Sequence, residues 1–450
     1  MSPYGLIAAR ILFEDSCGTD GRSHQDKFHP VKLEDNIQLN LPWYGHGFFC
    51  IAHNLMRPLS GRRLNMLVKT PPMGWNSWNT FGENINEKVV MESADILVSS
   101  GLADCGYNYI VIDDCWSLRE RGEDGRIVPD PEKFPHGMKY VADYVHSKGL
   151  KFGMYSCAGM LTCAGYPASF DHEFIDAKTF AEWGVDYLKY DYCFHPSTVP
   201  GNVLYKRMAL ALANCGRDIV FSACSWGSDE TKKWIKQTGA NLWRTTGDIN
   251  DSWRSIKDLS LIAGDAITYG SINCYPDMDM LVTGMKGMGN VGLAGCTKEE
   301  YRLHQSLWAL LGSPLMIGCD IRDMDEDTRE TLMNKDLIEI NQDPDYNQAY
   351  DASGYGTTFV TGEVNEHPVY VRLLSNGDLA IGFFNLSDET GSRWNSYLSL
   401  DRIGLPESTG KTLEMKEIWT GETFTVKNGL FCENIPPHSC RVFRAKVIEA

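Results

Sequence analysis

Positive charge is scarce in this sequence. Its 42 lysines and arginines face 59 aspartates and glutamates, a formal charge of −17, and histidines number only 11. A surface of that sign repels phosphate backbones and anionic lipid, so no nucleic-acid or membrane partner is expected, while neutral ligands are unaffected. Long apolar runs are missing too: the longest, around Leu307 to Cys319, is short and interrupted, below the length that spans a bilayer. Nor is a secretory leader legible in MSPYGLIAARILFEDSCGTD, where a brief apolar stretch without a basic start meets acidic residues. The expectation is a cytoplasmic chain. Its 14 cysteines are spread along the whole length, several inside strand-like runs, and are expected as buried free thiols.

What is present describes a globular chain. Hydrophobic residues at 43% supply a substantial core, and 450 residues suffice for one large domain and a smaller one. From Leu67 onward short β-branched runs (Tyr109–Asp113, Leu150–Tyr155, Val185–Tyr190, Ile219–Ala223) alternate with helical periodicity over Glu87–Ser100, Gly137–Lys148 and Asp176–Trp183. This α/β alternation predicts a parallel sheet with crossover helices, and its length fits a closed (β/α)8 TIM barrel over residues 66–343. Polar residues stand at the carboxyl ends of the runs, where a barrel builds its site: Asp113, Asp114, Tyr155, Asp191, Ser225 and Asp248. After Pro344 the pattern becomes alternating strands separated by turn signals such as Ser375–Asp378 and Lys427–Gly429, predicting a C-terminal antiparallel β-sandwich domain over 344–450. Residues 1–65 show no sustained period and read as an extension ahead of a natural start at Met66.

Several residues can carry chemistry. Asp191 ends a strand with Lys189 two residues earlier on the same face, which suits an ionised nucleophile or a structural ion pair. Asp248 follows Arg244 by four residues and suits a proton donor or a helix N-cap. Two carboxylates on strand ends are what glycoside cleavage requires. Asp113 and Asp114 could hold a metal or sugar hydroxyls; the few histidines near strand ends favour sugar and no metal. Trp75 can stack on a sugar face or pack in the core. The glycine cluster Gly284–Gly289 has no accompanying phosphate pattern.

Together these segments resemble the melibiase-type α-galactosidases, glycoside hydrolase family 27. The resemblance rests on ordered motifs: Pro72–Trp78 (PMGWNSW), Asp113–Trp116 (DDCW), Gly153–Tyr155, Lys189–Asp191, Cys224–Trp226, Trp243–Arg244 with Asp248, and Asp279–Leu281. It implies a retaining reaction on a small-molecule carbohydrate, with Asp191 as nucleophile and Asp248 as acid/base. It further implies Asp113 and Asp114 on O6 and O4, Lys189 on O3 and O4, and Arg244 and Ser225 on the 2-position side. Trp75, Tyr155, Cys224 and Trp226 would line the pocket, Asp279 would support the acid/base, and no cofactor is implied. Cys163 and Cys193 match a disulfide pair of secreted relatives. Two alternatives stay open. Ser225 stands where such galactosidases commonly carry a glutamate for O2, and with Ser228 it matches α-N-acetylgalactosaminidases. A non-catalytic galactose-binding protein is the other, and the presence of both acids speaks against it. Oligomeric state is not legible, a homo-oligomer included.

Overall fold

The computed structural model describes residues 29–32, 38–41, 66–353, 365–391, 396–426, 429–432 and 434–450. Most of the expected N-terminal extension, and residues 427–428 of the expected turn, lie outside the described residues. The chain divides into two compact units, Met1–Asn65 and Met66–Ala450. Within the first, short strands His29–Lys32 and Gln38–Leu41 pair antiparallel.

In the second unit eight strands form one sheet: β1 (Met73–Asn76), β2 (Tyr109–Val111), β3 (Lys151–Cys157), β4 (Tyr187–Asp191), β5 (Val220–Ala223), β6 (Leu242–Arg244), β7 (Tyr275–Asp277) and β8 (Leu315–Ile317). The order is β7-β6-β5-β4-β3-β2-β1-β8, with every pair parallel. A parallel bridge from Leu281, just past β7, to Ile317 closes the ring. This is the TIM barrel expected from the alternation.

The helices between strands follow local signals. Helix α1 (Glu87–Ser99) is capped by Asn86, whose side chain accepts from the Val89 amide. Helices α2 (Gly137–Ser147), α3 (Glu173–Trp183) and α4 (Gly201–Ala213) follow β2, β3 and β4. Two short 3-10 turns, Ser228–Lys233 and Ile235–Gln237, replace a helix after β5. Helix α5 (Trp253–Ala266) follows β6 and is capped by Ser252. Asp248 is therefore not the cap residue. Helix α6 (Lys298–Leu311) starts in a capping box of Thr297 and Glu300 and ends at Gly312, whose φ of 73° suits glycine.

The C-terminal domain builds a six-stranded antiparallel sheet from β9 (Tyr350–Asp351), β10 (Val369–Leu373), β11 (Leu379–Asn385), β13 (Lys411–Glu417), β14 (Thr423–Val426) and β16 (Ser439–Glu449). Strands β12 (Tyr397–Ser399) and β15 (Gly429–Phe431) pair separately, as the second layer of the sandwich. Helix α6 joins this domain to the barrel. Arg372 Nη1 donates to the Ala309 carbonyl at 3.5 Å, and Trp419 Nε1 donates to Ser306 Oγ at 3.1 Å. Leu374, Phe384, Ile418 and Val442 of the C-terminal domain belong to the same buried core as Leu303, Leu307 and Trp308 of the helix.

Candidate active site

Asp191 is the last residue of β4, so the strand carries its carboxylate to the mouth of the barrel. It is buried, and its oxygens are held separately. The Tyr155 hydroxyl lies 3.2 Å from Oδ2, and the Tyr192 backbone N–H donates to Oδ1 at 2.9 Å. Tyr155 and Lys189 are register partners on β3 and β4, which puts both on one face of the sheet. Burial pushes the Asp191 carboxyl up to about 6; Lys189 and the Tyr192 amide oppose the rise, and Asp248 and Asp113 add to it.

Lys189 Nζ donates to Asp113 Oδ2 at 2.9 Å, and Asn76 Nδ2 shares that oxygen at 2.8 Å. Burial works against the Lys189 charge, but Asp113 and its neighbours outweigh it and raise the ammonium well above its usual range. Asp114 accepts from the Cys115 and Ala164 backbone amides at 2.7 and 3.0 Å. Its carboxyl is raised by burial, against those amides. The two adjacent acids are thus fixed and mostly sheltered, each retaining lone pairs that can accept from hydroxyls.

Asp248 stands in the loop after β6, its side chain 73% exposed. Arg244, the last residue of β6, clasps that loop: Nη2 donates to Asp248 Oδ1 at 3.0 Å and to the Gly247 carbonyl at 2.6 Å. Its Nη1 meets Asp279 Oδ1 at 2.9 Å, and Asp279 Oδ2 accepts from the Ile249 amide at 2.7 Å. Desolvation works against the Asp248 charge, but Arg244 and Lys189 outweigh it and hold the carboxyl below its ordinary value. Asp279, deep beside Arg244, is raised by burial. Cys115, Phe194, Trp226 and Asp279 all carry positive φ, between 48° and 79°. Such backbone is unfavourable for residues other than glycine and collects at functional loops.

The structure separates some residues that the sequence reading put together. Trp75 is wholly buried in the core and donates its indole N–H to the Cys319 carbonyl at 3.0 Å, so it offers no face to a sugar. Trp78, three residues on and not singled out from sequence, instead lines an open cleft of about 460 Å³ with Phe81, Glu83, Cys115 and Asn290. The spacing of two tryptophans in PMGWNSW carried the signal, but not which one faces out. Ser225 is fully buried, its hydroxyl 2.6 Å from that of Thr231. Cys224 is buried against Arg244, with Nη1 to Sγ at 3.5 Å, and Trp226 is half-buried. Asp277, at the end of β7, was missed although it stands two residues before Asp279. It lines a small cavity beneath the site with Lys189, Arg244 and Asp279.

Cys163 and Cys193 are bonded to each other; the remaining described cysteines are free. The bonded pair is the form an oxidising compartment keeps, so the expectation of reduced thiols does not extend to these two. Gly159 lets the two loops cross, since a Cβ there would meet the Cys193 carbonyl oxygen at 1.9 Å. Among the described residues the one cluster with metal-ligand spacing is Cys163, Cys193 and Asp191, and both sulfurs are engaged in the disulfide.

Two carboxylates in opposed surroundings at the carboxyl end of a barrel suit the class of glycoside hydrolases. A family described as alpha galactosidase A matches residues 70–343, and the alpha galactosidase C-terminal beta sandwich domain matches residues 364–445. Alpha-galactosidase 3 of Arabidopsis thaliana is 44% identical over 380 residues, covering 84% of this chain and 82% of that protein. An alpha-galactosidase of Cyamopsis tetragonoloba is 43% identical, covering 84% and 87%. Among solved structures, alpha-galactosidase I of Mortierella vinacea has a TM-score of 0.75 at 32% identity, covering 84% of this chain and 97% of its own. The alpha-galactosidase of Saccharomyces cerevisiae with raffinose has a TM-score of 0.72 at 28% identity, covering 84% and 98%. The chain belongs to the alpha-galactosidase family, the melibiases of glycoside hydrolase family 27.

Proposed function

We propose that this protein is a retaining exo-glycosidase that removes terminal α-linked D-galactose from oligosaccharides or glycoconjugates. The observation that carries the reading is the contrast between its two acids: Asp191 buried and held by Tyr155 and Tyr192, Asp248 exposed and reached by Arg244. Asp191, ionised above about pH 6, attacks the anomeric carbon while the bond to the leaving oxygen breaks. Asp248 gives that oxygen its proton. It then takes a proton from water, whose oxygen displaces Asp191 and frees galactose with its original configuration. A sugar docked over the exposed Asp248 removes its water and favours the protonated form that the first step needs.

Asp113, Asp114 and Lys189 suit the hydroxyls on the far side of the ring, fixed as they are by Asn76 and the amides of Cys115 and Ala164. Galactose is the substrate favoured here. Curated relatives above 40% identity carry the alpha-galactosidase name, and the Ser225 hydroxyl is engaged elsewhere. Parallel assay of nitrophenyl α-galactoside and its 2-acetamido analogue tests the sugar, and NMR of the first-formed product tests the stereochemistry. Preference for the acetamido sugar, or β-galactose as first product, overturns the corresponding half of the reading.

A further inference from the structure

A proton donor needs surroundings that let it keep its proton, yet the Arg244 guanidinium 3.0 Å from Asp248 favours the ionised form. The barrel interior holds a group that offsets this. Asp277 on β7 is the register partner of Arg244 on β6, so the two side chains leave the sheet on one side. Both line the small cavity beneath the site, together with Lys189 and Asp279. Oδ1 of Asp277 accepts from the Asp279 backbone amide at 2.9 Å. Among the described residues no lysine or arginine forms an ion pair with Asp277, and Arg244 Nε is buried without a hydrogen-bond partner.

We propose that Asp277 is a positioning residue that competes for Arg244 from below and so keeps Asp248 able to carry a proton. This rests on the acid/base reading of Asp248. The titratable groups facing the cavity are Arg244 from β6, Lys189 and the Tyr187 phenol from β4, the Cys224 thiol after β5, and Asp279 beyond β7. Lys189 in turn carries Asp113 and lies near Asp191, while Arg244 carries Asp248 and Asp279. Two cations thus serve five carboxylates. A further negative charge in a region of low dielectric offsets the field of Arg244 at Asp248. Burial, against Arg244 and with Asp279, pushes the Asp277 carboxyl up to about 6, so this charge is in place at neutral pH.

The test is Asp277→Asn, close to isosteric, beside Asp277→Glu, which keeps the charge. The profile of kcat against pH, which reports the complex in which the docked sugar shelters Asp248, is measured on an oligosaccharide with a poor leaving group and on a nitrophenyl galactoside. In Asp277→Asn the alkaline limb on the oligosaccharide moves to lower pH by about one unit, since Asp248 ionises more readily. Its rate at pH 7 falls several-fold, while the nitrophenyl substrate and galactose binding change little; Asp277→Glu restores the limb. A limb that stays at the wild-type position, or equal losses on both substrates, overturns the proposal. Should the Asn variant not fold, Asp277→Ser, which removes the charge with a smaller side chain, is read in the same way. Failure of the acid/base reading itself shows separately, as an Asp248→Asn variant whose loss does not depend on the leaving group.

Discussion

The Tyr155 hydroxyl stands 3.2 Å from Asp191 Oδ2 and 3.3 Å from Cys163 Sγ, so the hydrogen-bond partner of the proposed nucleophile also touches the disulfide between two strand-end loops. Asp191 is thereby fixed on one side by a side chain and on the other by the Tyr192 amide.

Replacing Asp191 with Asn should reduce turnover to background, because an amide cannot form the glycosyl ester. The same variant should be more stable at neutral pH. A carboxyl at about 6 in the folded chain against 3.8 unfolded costs on the order of 3 kcal/mol while ionised. Because the folded value is raised, this cost is present above about pH 6 and fades as pH falls toward the unfolded value. Thermal melts at pH 7 and pH 4 check it: the variant's advantage should appear at the first and vanish at the second.

Wild-type kcat, read in the complex where the docked sugar keeps Asp248 protonated, should lose activity on the acid side near pH 6, where Asp191 takes up its proton. An acid limb near pH 4, the ordinary carboxylate value, would mean that burial does not govern the nucleophile.

Asp248→Asn should cost about 10²- to 10⁴-fold on substrates with poor leaving groups and far less on activated aryl galactosides in their first step. Steady-state and pre-steady-state rates on both substrate types separate the two effects. Equal losses would assign Asp248 a structural role.

Ser225→Ala should leave galactoside kcat/KM within about twofold and lower stability by about 1 kcal/mol, the net worth of a buried hydrogen bond. The hydroxyl it removes is hydrogen-bonded to that of Thr231. A large rise in KM would place Ser225 on the sugar after all.

A chain beginning at Met66 should fold and retain full activity. All the proposed site residues lie in the unit Met66–Ala450. Loss of soluble protein or of kcat in the shortened chain would show that residues 1–65 contribute.

Much of this was legible because strand ends in a parallel barrel are marked by polar residues following apolar runs. Asp113 and Asp191 could each be put at such an end from the sequence. Side-chain direction was not legible, because a tight turn after a strand breaks the two-residue period that tells inside from outside. Hence Trp78 took the rim and Ser225 turned toward Thr231, while Trp75, inside β1, is buried like every residue of that strand. The run Leu307–Cys319 was seen only as apolar, although it contains the end of α6 and all of β8. From Glu300 to Leu311 nearly every residue of that helix is buried, His304, Gln305 and Ser306 included, so polar residues there do not mark an exposed face.

Helix α6 is a shared wall. One side completes the barrel, and the other is covered by the C-terminal sheet, with Trp419 and Arg372 reaching its backbone and side chains. A cut at the sequence boundary between the domains would strip apolar surface from both halves. The two halves should therefore be inherited, exchanged and lost together, and the site at the top of the barrel owes part of its rigidity to strands that never approach the sugar.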